Sequence, residues 1–581
     1  MKTFSIIKNF IKKFSLFNKQ SQFKKNYLQW LFLLIFAAFS VWLMFFTFGY
    51  RDGQFLLRSR LWSDFAAHLP LIRSFSLGNN FPPEYPQFAG EPIRYHFLFY
   101  FFVGVFERLG LNIAWSLNLL SAVGFFGLLL MIYLFAKLFA QSDSKKSSLV
   151  TFAGLLAVIL FLFNGSLTFV DYFKEAGLSW NSLVSIFQLE QFVNFGPWNG
   201  DDISAFWHWN VYTNQRHLAF SIALVLLLIW PLVKAVFDPV SIRDFSIKNF
   251  NKFIWFFIIL ALIALPFLNL AAYAMAVIFI FAWLILNPKL IKQFGSIYVT
   301  ALVFSLPSFA YFYLQGTESI QVNFGFLAQE KTLMEILFYW WRNLGLYLVL
   351  WPILFLVSNL KQKKWLLIFS FYFVLANLFQ LSADIINNHK LINFFQIGLV
   401  ILLAAKLVNF WARHWSLKIV VIVLFIPLTL SGVLDAAAII NDRQATIQDS
   451  IHQPIGEWII KNTSPNSTFI ITNYLYNPAS LVGRKTYLDY GYFAWSMGYD
   501  DSERRANLPI IFSFEAAAQQ WCELLSQEKI DYILVSPGKG DLDIDVHDSW
   551  LVRENEPSYR SPNDYLLYKI TNICPEELGQ L

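Results

Sequence analysis

The sequence predicts a polytopic α-helical membrane protein that ends in a small soluble domain. Of its 581 residues, 57% are hydrophobic and only 14% are charged, whereas soluble globular domains carry roughly 25% charged residues. Apolar runs of roughly 20 residues, the length that crosses a bilayer core, recur between residues 28 and 437. Beyond residue 437 these runs stop and acidic residues outnumber basic ones. The soluble domain is therefore expected to occupy residues 438–581.

The transmembrane region, residues 28–437, is predicted to contain about eleven spans. They lie near residues 28–50, 112–137, 149–168, 217–236, 253–266, 269–286, 296–314, 344–360, 365–381, 394–412 and 419–437. Two stretches are ambiguous. Pro266 divides one long apolar run into two short halves, and residues 95–111 are apolar but contain Glu107 and Arg108. Charged residues are costly within hydrocarbon, so 95–111 is predicted to lie at the outer leaflet rather than to cross.

Charge distribution predicts the orientation of these spans. The N-terminal tail, residues 1–27, is rich in lysine and lacks acidic residues, and the short linkers 142–148, 238–252, 287–292, 361–364 and 413–418 are mostly basic. Basic loops remain on the cytoplasmic side of a membrane. The loops 51–111, 169–216, 315–343 and 382–393, together with the C-terminal domain, are then extracytoplasmic. The net charge of +6 reflects lysines near lipid headgroups and does not indicate nucleic-acid binding.

The first outer loop contains ionisable residues that suit a substrate site. Asp64 and His68 are four residues apart, so a helix would place both on one face. Glu84, Arg94 and His96 follow in a segment rich in proline and glycine, which is predicted to form a fixed loop.

The second outer loop combines acidic, basic and aromatic residues. Asp201, Asp202, His208 and Arg216 occur near Trp198. Carboxylates beside aromatic faces suit a sugar, which stacks its C–H face and hydrogen-bonds through its hydroxyls. Two simpler interpretations remain open: an interfacial tryptophan belt, and a solvated turn at Asp201–Asp202.

The last outer loop, residues 382–393, places His389 and Lys390 directly before a span, after Asp384 and Asn388. A cation at the outer leaflet is suited to bind a lipid phosphate. The alternative is that Lys390 extends to the membrane interface without a ligand.

This plan resembles the GT-C superfamily of membrane glycosyltransferases, including its protein mannosyltransferase and aminoarabinose transferase branches. The likeness consists of a first span, an outer loop that begins with an acidic residue, an amphipathic helix, many further spans and an extracytoplasmic C-terminal domain. It is most specific from residue 62 to residue 110. Asp64 stands between Ser63 and Phe65, so the paired acid that is usual in the family is absent here.

The resemblance implies transfer of a sugar from a polyprenyl-phosphate donor to a glycan, lipid or protein acceptor on the outer face of a membrane, which is expected to be a bacterial plasma membrane. It assigns the role of base to Asp64 and that of a second acid to Asp171, Asp201 or Asp202. Arg94, Arg216, His389 and Lys390 are candidates to bind the departing lipid phosphate. Direct displacement with a single base would invert the anomeric carbon.

The C-terminal domain is predicted to be a small α/β sandwich. Helices are expected at 454–461 and 515–527, and strands at 468–472 and 532–536. Cys522 and Cys574 could form a disulfide in an oxidising compartment. The acidic run 541–548 fits either an edge strand or a calcium site, so no cofactor is required but a divalent cation is not excluded.

Two other functional classes remain open from the sequence. A lipid or glycan transporter would place ionisable residues at mid-bilayer depth and often shows repeated halves. A non-catalytic membrane assembly protein would act through its C-terminal domain. Charges at the outer rim favour the enzyme.

Overall fold

The structure is a computed structural model that describes residues 27–143, 146–163, 165–195, 203–238, 252–315, 320–512, 518–542 and 545–574. Most of these residues are helical. The lysine-rich tail that precedes residue 27 lies outside the described residues, as do most of the linker 238–252 and the residues 196–202 of the second outer loop.

The helices of the membrane region and its outer loops follow one another with short connections. They are α1 (Tyr27–Thr47), α2 (Trp62–Ser76), α3 (Leu98–Arg108), α4 (Ile113–Asp143), α5 (Ser147–Leu162), α6 (Thr168–Ala176), α7 (Trp180–Ser185), α8 (Asn210–Asn214), α9 (Arg216–Phe237), α10 (Lys252–Leu268), α11 (Leu270–Leu286), α12 (Ser296–Tyr313), α13 (Leu333–Leu344), α14 (Leu346–Val357), α15 (Leu360–Leu378), α16 (His389–Trp411) and α17 (Trp415–Ile440). Short strands β1 (Phe48–Arg51), β2 (Gln54–Arg58), β3 (Gln321–Val322) and β4 (Phe379–Gln380) lie between them.

These helices make the protein a polytopic membrane protein. Among the described residues, 6 helices are long and apolar enough to cross a bilayer, and up to 7 if the bent pair α13–α14 counts as one span. Three shorter apolar helices, α5, α10 and α11, accompany them. Each of the eleven predicted spans coincides with a helix, but their number as membrane crossings stays a prediction.

Three local features differ from a simple series of spans. The ambiguous segment 95–111 forms α3, whose 11 residues extend only about 16 Å at 1.5 Å per residue, too short to cross. The predicted span 344–360 is the short α14, which is bent by 96° from α13. The bend occurs at Gly345, whose φ of 52° favours glycine. The predicted linker 361–364 lies inside α15, which begins at Leu360.

Helix α16 is the centre of the bundle. Its residues from His389 to Asn409 are all buried, and it packs against α4, α5, α15 and α17. At Gly398 a Cβ atom would lie 2.1 Å from the Phe369 ring of α15, so glycine permits the close approach of the two helices. The first residues of this central helix, His389 and Lys390, therefore lie at the outer end of the bundle axis.

A three-stranded antiparallel sheet joins the first outer loop to the segment after the last helix. Strand β2 pairs on one side with β1 and on the other with β5 (Gln444–Gln448), from Gln54 opposite Gln448 to Arg58 opposite Gln444. The C-terminal ends of α1 and α17 are thereby on the same side of the bundle. The first outer loop and the C-terminal domain must consequently face the same compartment.

The C-terminal domain is built on a five-stranded mixed sheet of order β7-β6-β8-β10-β9. Its strands are β6 (Thr468–Ile471), β7 (Lys485–Thr486), β8 (Tyr532–Val535), β9 (Tyr559–Arg560) and β10 (Leu566–Lys569), and its helices are α18 (Pro454–Asn462), α19 (Pro478–Leu481), α20 (Gly491–Ser496), α21 (Ser502–Phe512), α22 (Ala518–Gln527), α23 (Trp550–Glu554) and α24 (Ile570–Ile573). This agrees with the elements expected near 454–461, 468–472, 515–527 and 532–536. In the acidic run 541–548, Val546–Asp548 form a short 3-10 helix, and residues 543–544 lie outside the described residues. Cys522 and Cys574 form a disulfide with Cα atoms 5.7 Å apart.

A buried ionic network fixes α2 between the C-terminal domain and α3. Arg73 of α2 binds Asp449 at 2.7 Å and Glu107 of α3 at 3.0 Å, and the side chains of Arg73 and Asp449 are essentially inaccessible. The hydroxyl of Tyr50 donates a 2.9 Å hydrogen bond to the same Asp449. Because removal of one member leaves buried charges unpaired, such networks are strongly coupled to folding.

Replacing Arg73 with methionine is expected to destabilise the protein by about 3 to 5 kcal/mol, because two carboxylates would stay buried without their cation. Arg51→Met is the matched control, since the Arg51–Asp52 pair is about four-fifths exposed (79% and 82%) and should contribute less than about 1 kcal/mol. Thermal unfolding of both purified variants measures the difference. Equal melting temperatures for the two variants would contradict the assigned role of Arg73.

Candidate functional site

Asp64 lies in the first turn of α2. Its helix is held by a buried face that includes Phe65, Ala66 and Leu69, while the Asp64 side chain itself stays partly exposed. Within the part of the chain that the structure describes, no hydrogen bond or close ion pair reaches its carboxylate. Asp64 is thus a carboxylate that is available to a ligand.

Lys390, at the start of the central helix α16, provides a cation beside Asp64. Its Nζ donates a 2.9 Å hydrogen bond to Asn387 Oδ1 and lies 5.9 Å from the centre of the Tyr95 ring. Lys390 and Asp64 interact electrostatically. The structure therefore brings the first and the last outer loops close together.

The surroundings of Asp64 favour its uncharged form. Burial among protein groups raises the pKa of Asp64 from 3.8 to about 6, although the nearby Lys390 ammonium lowers it. The side chain keeps some solvent contact, but the aromatic groups around it displace much of the water that would stabilise its charge. Such a carboxylate is ionised at pH 7 and is a stronger base than an ordinary aspartate.

Three buried histidines adjoin this pair. His68 of α2 stacks on Tyr100 at 4.7 Å between ring centres, and the rings of His96 and His217 are 3.7 Å apart. The Tyr100 hydroxyl and His217 Nδ1 form a 2.9 Å hydrogen bond. The cluster thus connects the first outer loop with the start of α9.

The histidine cluster is uncharged but retains hydrogen-bonding capacity. Burial lowers the pKa of His68 to about 3, with a contribution from Arg216, and lowers that of His96 well below its usual value. One ring nitrogen in each of His68, His96 and His217 is buried and has no hydrogen-bond partner among the described residues. Neutral imidazoles can donate or accept hydrogen bonds without adding charge.

The C-terminal domain completes the site on a third side. Tyr492 of α20 donates a 2.8 Å hydrogen bond to Asp384 in the last outer loop. Tyr476 donates to the backbone carbonyl of Trp62, two residues before Asp64, and their rings are 4.8 Å apart. Residues from both outer loops and from the C-terminal domain therefore surround Asp64 and Lys390.

Arg216 was expected to bind a donor phosphate, but the structure favours a different role. Its guanidinium is fully buried and donates to Thr213 O at 2.7 Å, Thr47 Oγ1 at 2.8 Å and Asn118 Oδ1 at 3.0 Å. These contacts join the start of α9 to α1 and α4. Arg216 is therefore positioned as a structural anchor of the bundle.

Other predicted site residues make contacts within the protein instead of lining the Asp64 site. Glu84 binds Lys485 at 2.7 Å, and Arg94 binds Glu91 at 3.0 Å and the Gly498 carbonyl at 2.6 Å. Both attach the first outer loop to the C-terminal domain.

Two further histidines and the candidate second acids are placed as follows. His208 is buried 3.1 Å from Asp435, and His389 faces Phe206 with its Nδ1 2.6 Å from the Ile386 carbonyl oxygen. Asp171 binds Arg342 at 3.0 Å, which leaves it an unsuitable second acid. Trp198, Asp201 and Asp202 lie outside the described residues. Among the described residues, no three potential ligand side chains are grouped to hold a metal.

Tyr95, His217 and Tyr492 belong to the site but were not selected from the sequence. His217 carried a usable signal, since it follows Arg216 at the outer end of a predicted span. Tyr95 and Tyr492 carried none, because tyrosines are common in such loops and only the tertiary fold brings these two together.

Fold and site together define a polytopic membrane protein with a polar cluster of carboxylate, ammonium and imidazole groups at the N-terminal end of its central helix. Neither a family model nor a curated protein matches the sequence. Several solved structures are similar to the chain, among them the following two. One is the archaeal oligosaccharyltransferase AglB from Archaeoglobus fulgidus in complex with an inhibitory peptide and a dolichol-phosphate, with 13% identity, 88% of this chain and 70% of that chain covered, and a TM-score of 0.40. The other is ArnT from Cupriavidus metallidurans in the apo state, with 10% identity, 95% and 99% covered, and a TM-score of 0.43. Values this low assign neither a family nor an activity to the chain.

The Asp64→Asn variant is expected to be more stable than the wild type at pH 7.5. Because the folded-state pKa of Asp64 is about 6 and its ordinary value is 3.8, ionisation at pH 7.5 costs folding free energy that asparagine avoids. The Tm should rise by about 2 °C or more, and the gain should shrink as the pH falls from 6 to 4, where the folded carboxyl is already protonated.

Asp52→Asn serves as the control, because Asp52 is 82% exposed in the same outer loop. Its effect on Tm should be small and should not vary in this pH window. A stability gain for Asp64→Asn that is independent of pH, or a loss at pH 7.5, would contradict the burial argument.

Proposed function

We propose that this protein is a membrane glycosyltransferase that moves a sugar from a polyprenyl-phosphate donor to an acceptor on the extracytoplasmic face. The supporting observation is the juxtaposition of a free Asp64 carboxylate with the Lys390 ammonium at the outer end of the central helix. A donor with a lipid tail and a charged head requires this position, because its tail stays in the leaflet while its head reaches water.

Asp64 is the proposed general base. It accepts the proton of the acceptor hydroxyl as that oxygen attacks the anomeric carbon of the donor sugar. The new C–O bond forms while the bond from the anomeric carbon to the phosphate oxygen breaks, and the electron pair of that bond leaves with the lipid phosphate. Attack from the face opposite the leaving group inverts the anomeric carbon.

Lys390 and the histidine cluster are the proposed phosphate site. The ammonium compensates the charge that develops on the leaving phosphate, and the N-terminal end of α16 adds a favourable dipole. His68, His96 and His217 have nitrogens available for hydrogen bonds to phosphate or sugar oxygens. Because these imidazoles are neutral, they bind the donor without a charge that would compete with Lys390 for Asp64.

The pKa of Asp64 predicts how the transfer rate depends on pH. A base with a pKa of about 6 loses its activity on protonation, so kcat/KM should fall roughly tenfold per pH unit below pH 6. Asp64→Asn should lower kcat by about 10² to 10⁴-fold, and Lys390→Met by about 10² to 10³-fold, with Lys390→Arg retaining part of the rate.

The measurement is transfer of radiolabelled sugar from a set of polyprenyl-phosphate donors by the purified protein in lipid nanodiscs. Asp52→Asn should transfer at the wild-type rate. A transporter would move labelled lipid across proteoliposomes without forming product, and an assembly protein would do neither. Equal transfer by the wild type and by Asp64→Asn would refute the catalytic role.

The C-terminal domain is proposed to be extracytoplasmic. The disulfide between Cys522 and Cys574 supports this, since such bonds persist in oxidising compartments. A maleimide-polyethylene glycol reagent added to unreduced membranes should cause no gel shift, because both cysteines are in the disulfide. The same reagent added after reduction should cause a shift. Cys522→Ala should expose one thiol without prior reduction. Two free thiols in wild-type membranes would place the domain in the cytoplasm.

A further inference from the structure

A cavity lies in the C-terminal domain, near the Asp64 site. It has a volume of about 490 Å³, within the range of roughly 300 to 1,000 Å³ that is usual for small-molecule sites. Its walls are mostly aromatic and acidic, and include Asp489, Tyr490, Tyr492, Trp495 and Asp541. We name it the aromatic pocket.

Three aromatic rings of the aromatic pocket are presented to solvent. Tyr490, Tyr492 and Trp495 are 41%, 40% and 45% exposed. The Tyr492 and Trp495 rings are 5.8 Å apart and tilted by 42°, so they form an angled wall rather than a closed stack. These rings border a cavity that is open to solvent.

Asp489 gives the pocket a fixed polar floor. The carboxylate is buried and accepts hydrogen bonds from Gln87 Nε2 and Asn477 Nδ2, each at 2.9 Å. Burial raises the pKa of Asp489 to about 7, against the effect of these hydrogen bonds. Asp541, at the rim, accepts a 2.8 Å hydrogen bond from the backbone N–H of Tyr474 and remains exposed.

Gly491 keeps one side of the aromatic pocket open. A Cβ atom at this position would lie 2.5 Å from the Arg505 guanidinium and 2.7 Å from the Asp501 carboxylate. Arg505 and Asp501 form an ion pair there, so any side chain at residue 491 would displace the pair. The glycine thus allows Arg505, in its ion pair with Asp501, to form part of the pocket wall.

Two contacts connect the aromatic pocket to the Asp64 site. Gln87 donates both to Asp489 and, at 3.2 Å, to the carbonyl of Ala66 in α2. Tyr492 belongs to the pocket wall and donates to Asp384 in the last outer loop. Burial raises the pKa of Tyr492, and the charges of Asp384 and Asp64 raise it further, which indicates their proximity.

We infer that the aromatic pocket binds a saccharide unit of the acceptor and presents its hydroxyl to Asp64; this inference rests on the proposed function. Aromatic faces match the C–H face of a pyranose, while Asp541 and Arg505 suit its hydroxyl groups. An extended peptide would more readily add to a sheet edge. The nearest edge, β7, is already covered, because Thr486 exchanges backbone hydrogen bonds with Pro86 and Ala89.

The test is direct binding of saccharides to the full-length protein in nanodiscs, without a donor. The probes are mannotriose, maltotriose and chitotriose, and a tyrosine-containing peptide represents the alternative class of acceptor. Saturation-transfer NMR should show contact between at least one trisaccharide and the protein. Trp495→Ala should weaken that binding at least tenfold, whereas Trp495→Phe should keep part of it.

Trp415→Ala is the matched control, because Trp415 is also exposed, at 66%, but is the first residue of α17, at the end of that helix remote from the C-terminal domain. It should bind the trisaccharide like the wild type. Binding of the peptide alone, of no probe, or of a trisaccharide with equal affinity by Trp495→Ala would overturn the inference.

Asp64→Asn separates this inference from the proposed function. This variant should bind the trisaccharide normally and transfer no sugar to it. If the wild type transfers sugar, the Trp495→Ala variant should show a higher KM for the acceptor than the wild type and the same KM for the donor. Binding that depends on Trp495 in a protein without transferase activity would refute the proposed function and leave the pocket assignment standing. Sugar transfer in which Trp495→Ala leaves the KM for the acceptor unchanged would refute the pocket assignment and leave the proposed function standing.

Discussion

The attachment of α2 to its surroundings is the constraint on which the site depends. Asp64 and His68 project from this helix, which is only 15 residues long and does not cross the bilayer. Arg73 fixes its far end to Asp449 and Glu107, and Gln87 fixes its middle through the Ala66 carbonyl. The geometry of Asp64 relative to Lys390 is therefore set by contacts that reach from the outer loops into the C-terminal domain.

The same attachment explains why the C-terminal domain belongs to the site. Strand β5, which follows the last helix, pairs with β2 directly before α2. The loop between α2 and α3 then continues along β7 of the soluble domain. The first outer loop is thus joined to the C-terminal domain both before α2, at β2, and after it, beside β7. These contacts hold α2 near the start of α16, and they bring Tyr476 and Tyr492 close to Asp64.

Sequence alone could predict the parts of this arrangement that follow from composition. The positions of the apolar helices follow from hydrophobic runs, and the short α3 from the cost of Glu107 and Arg108 in hydrocarbon. Asp64 could be selected through the resemblance to membrane glycosyltransferases, and Lys390 because a cation beside a span suits a lipid phosphate. Their proximity depends on the tertiary fold, and the sidedness of the loops stays a prediction.

Residues whose role depends on partners could not be predicted in this way. Arg216 was an apparent phosphate ligand because the sequence cannot show that Thr47, Thr213 and Asn118 would accept its hydrogen bonds. Glu84 likewise looked available until its pairing with Lys485, about 400 residues away. Pairing with residues distant in sequence decides whether a charged side chain is free to bind a ligand or serves to hold the fold together. The residue pattern within one loop carries no information about such pairing.

The distribution of charge in the site follows from its position between lipid and water. A cluster of protonated imidazoles beside Lys390 would repel the ammonium and attract the Asp64 carboxylate into permanent ion pairs. Burial prevents this by holding His68 and His96 neutral. Asp64 then faces a single cation at a distance that leaves its oxygens unbonded, and partial burial strengthens it as a base. A fully hydrated site would lose this effect, because water would stabilise the carboxylate and lower its pKa. The raised pKa of Asp64 therefore depends on the protein groups that keep water away from its carboxylate.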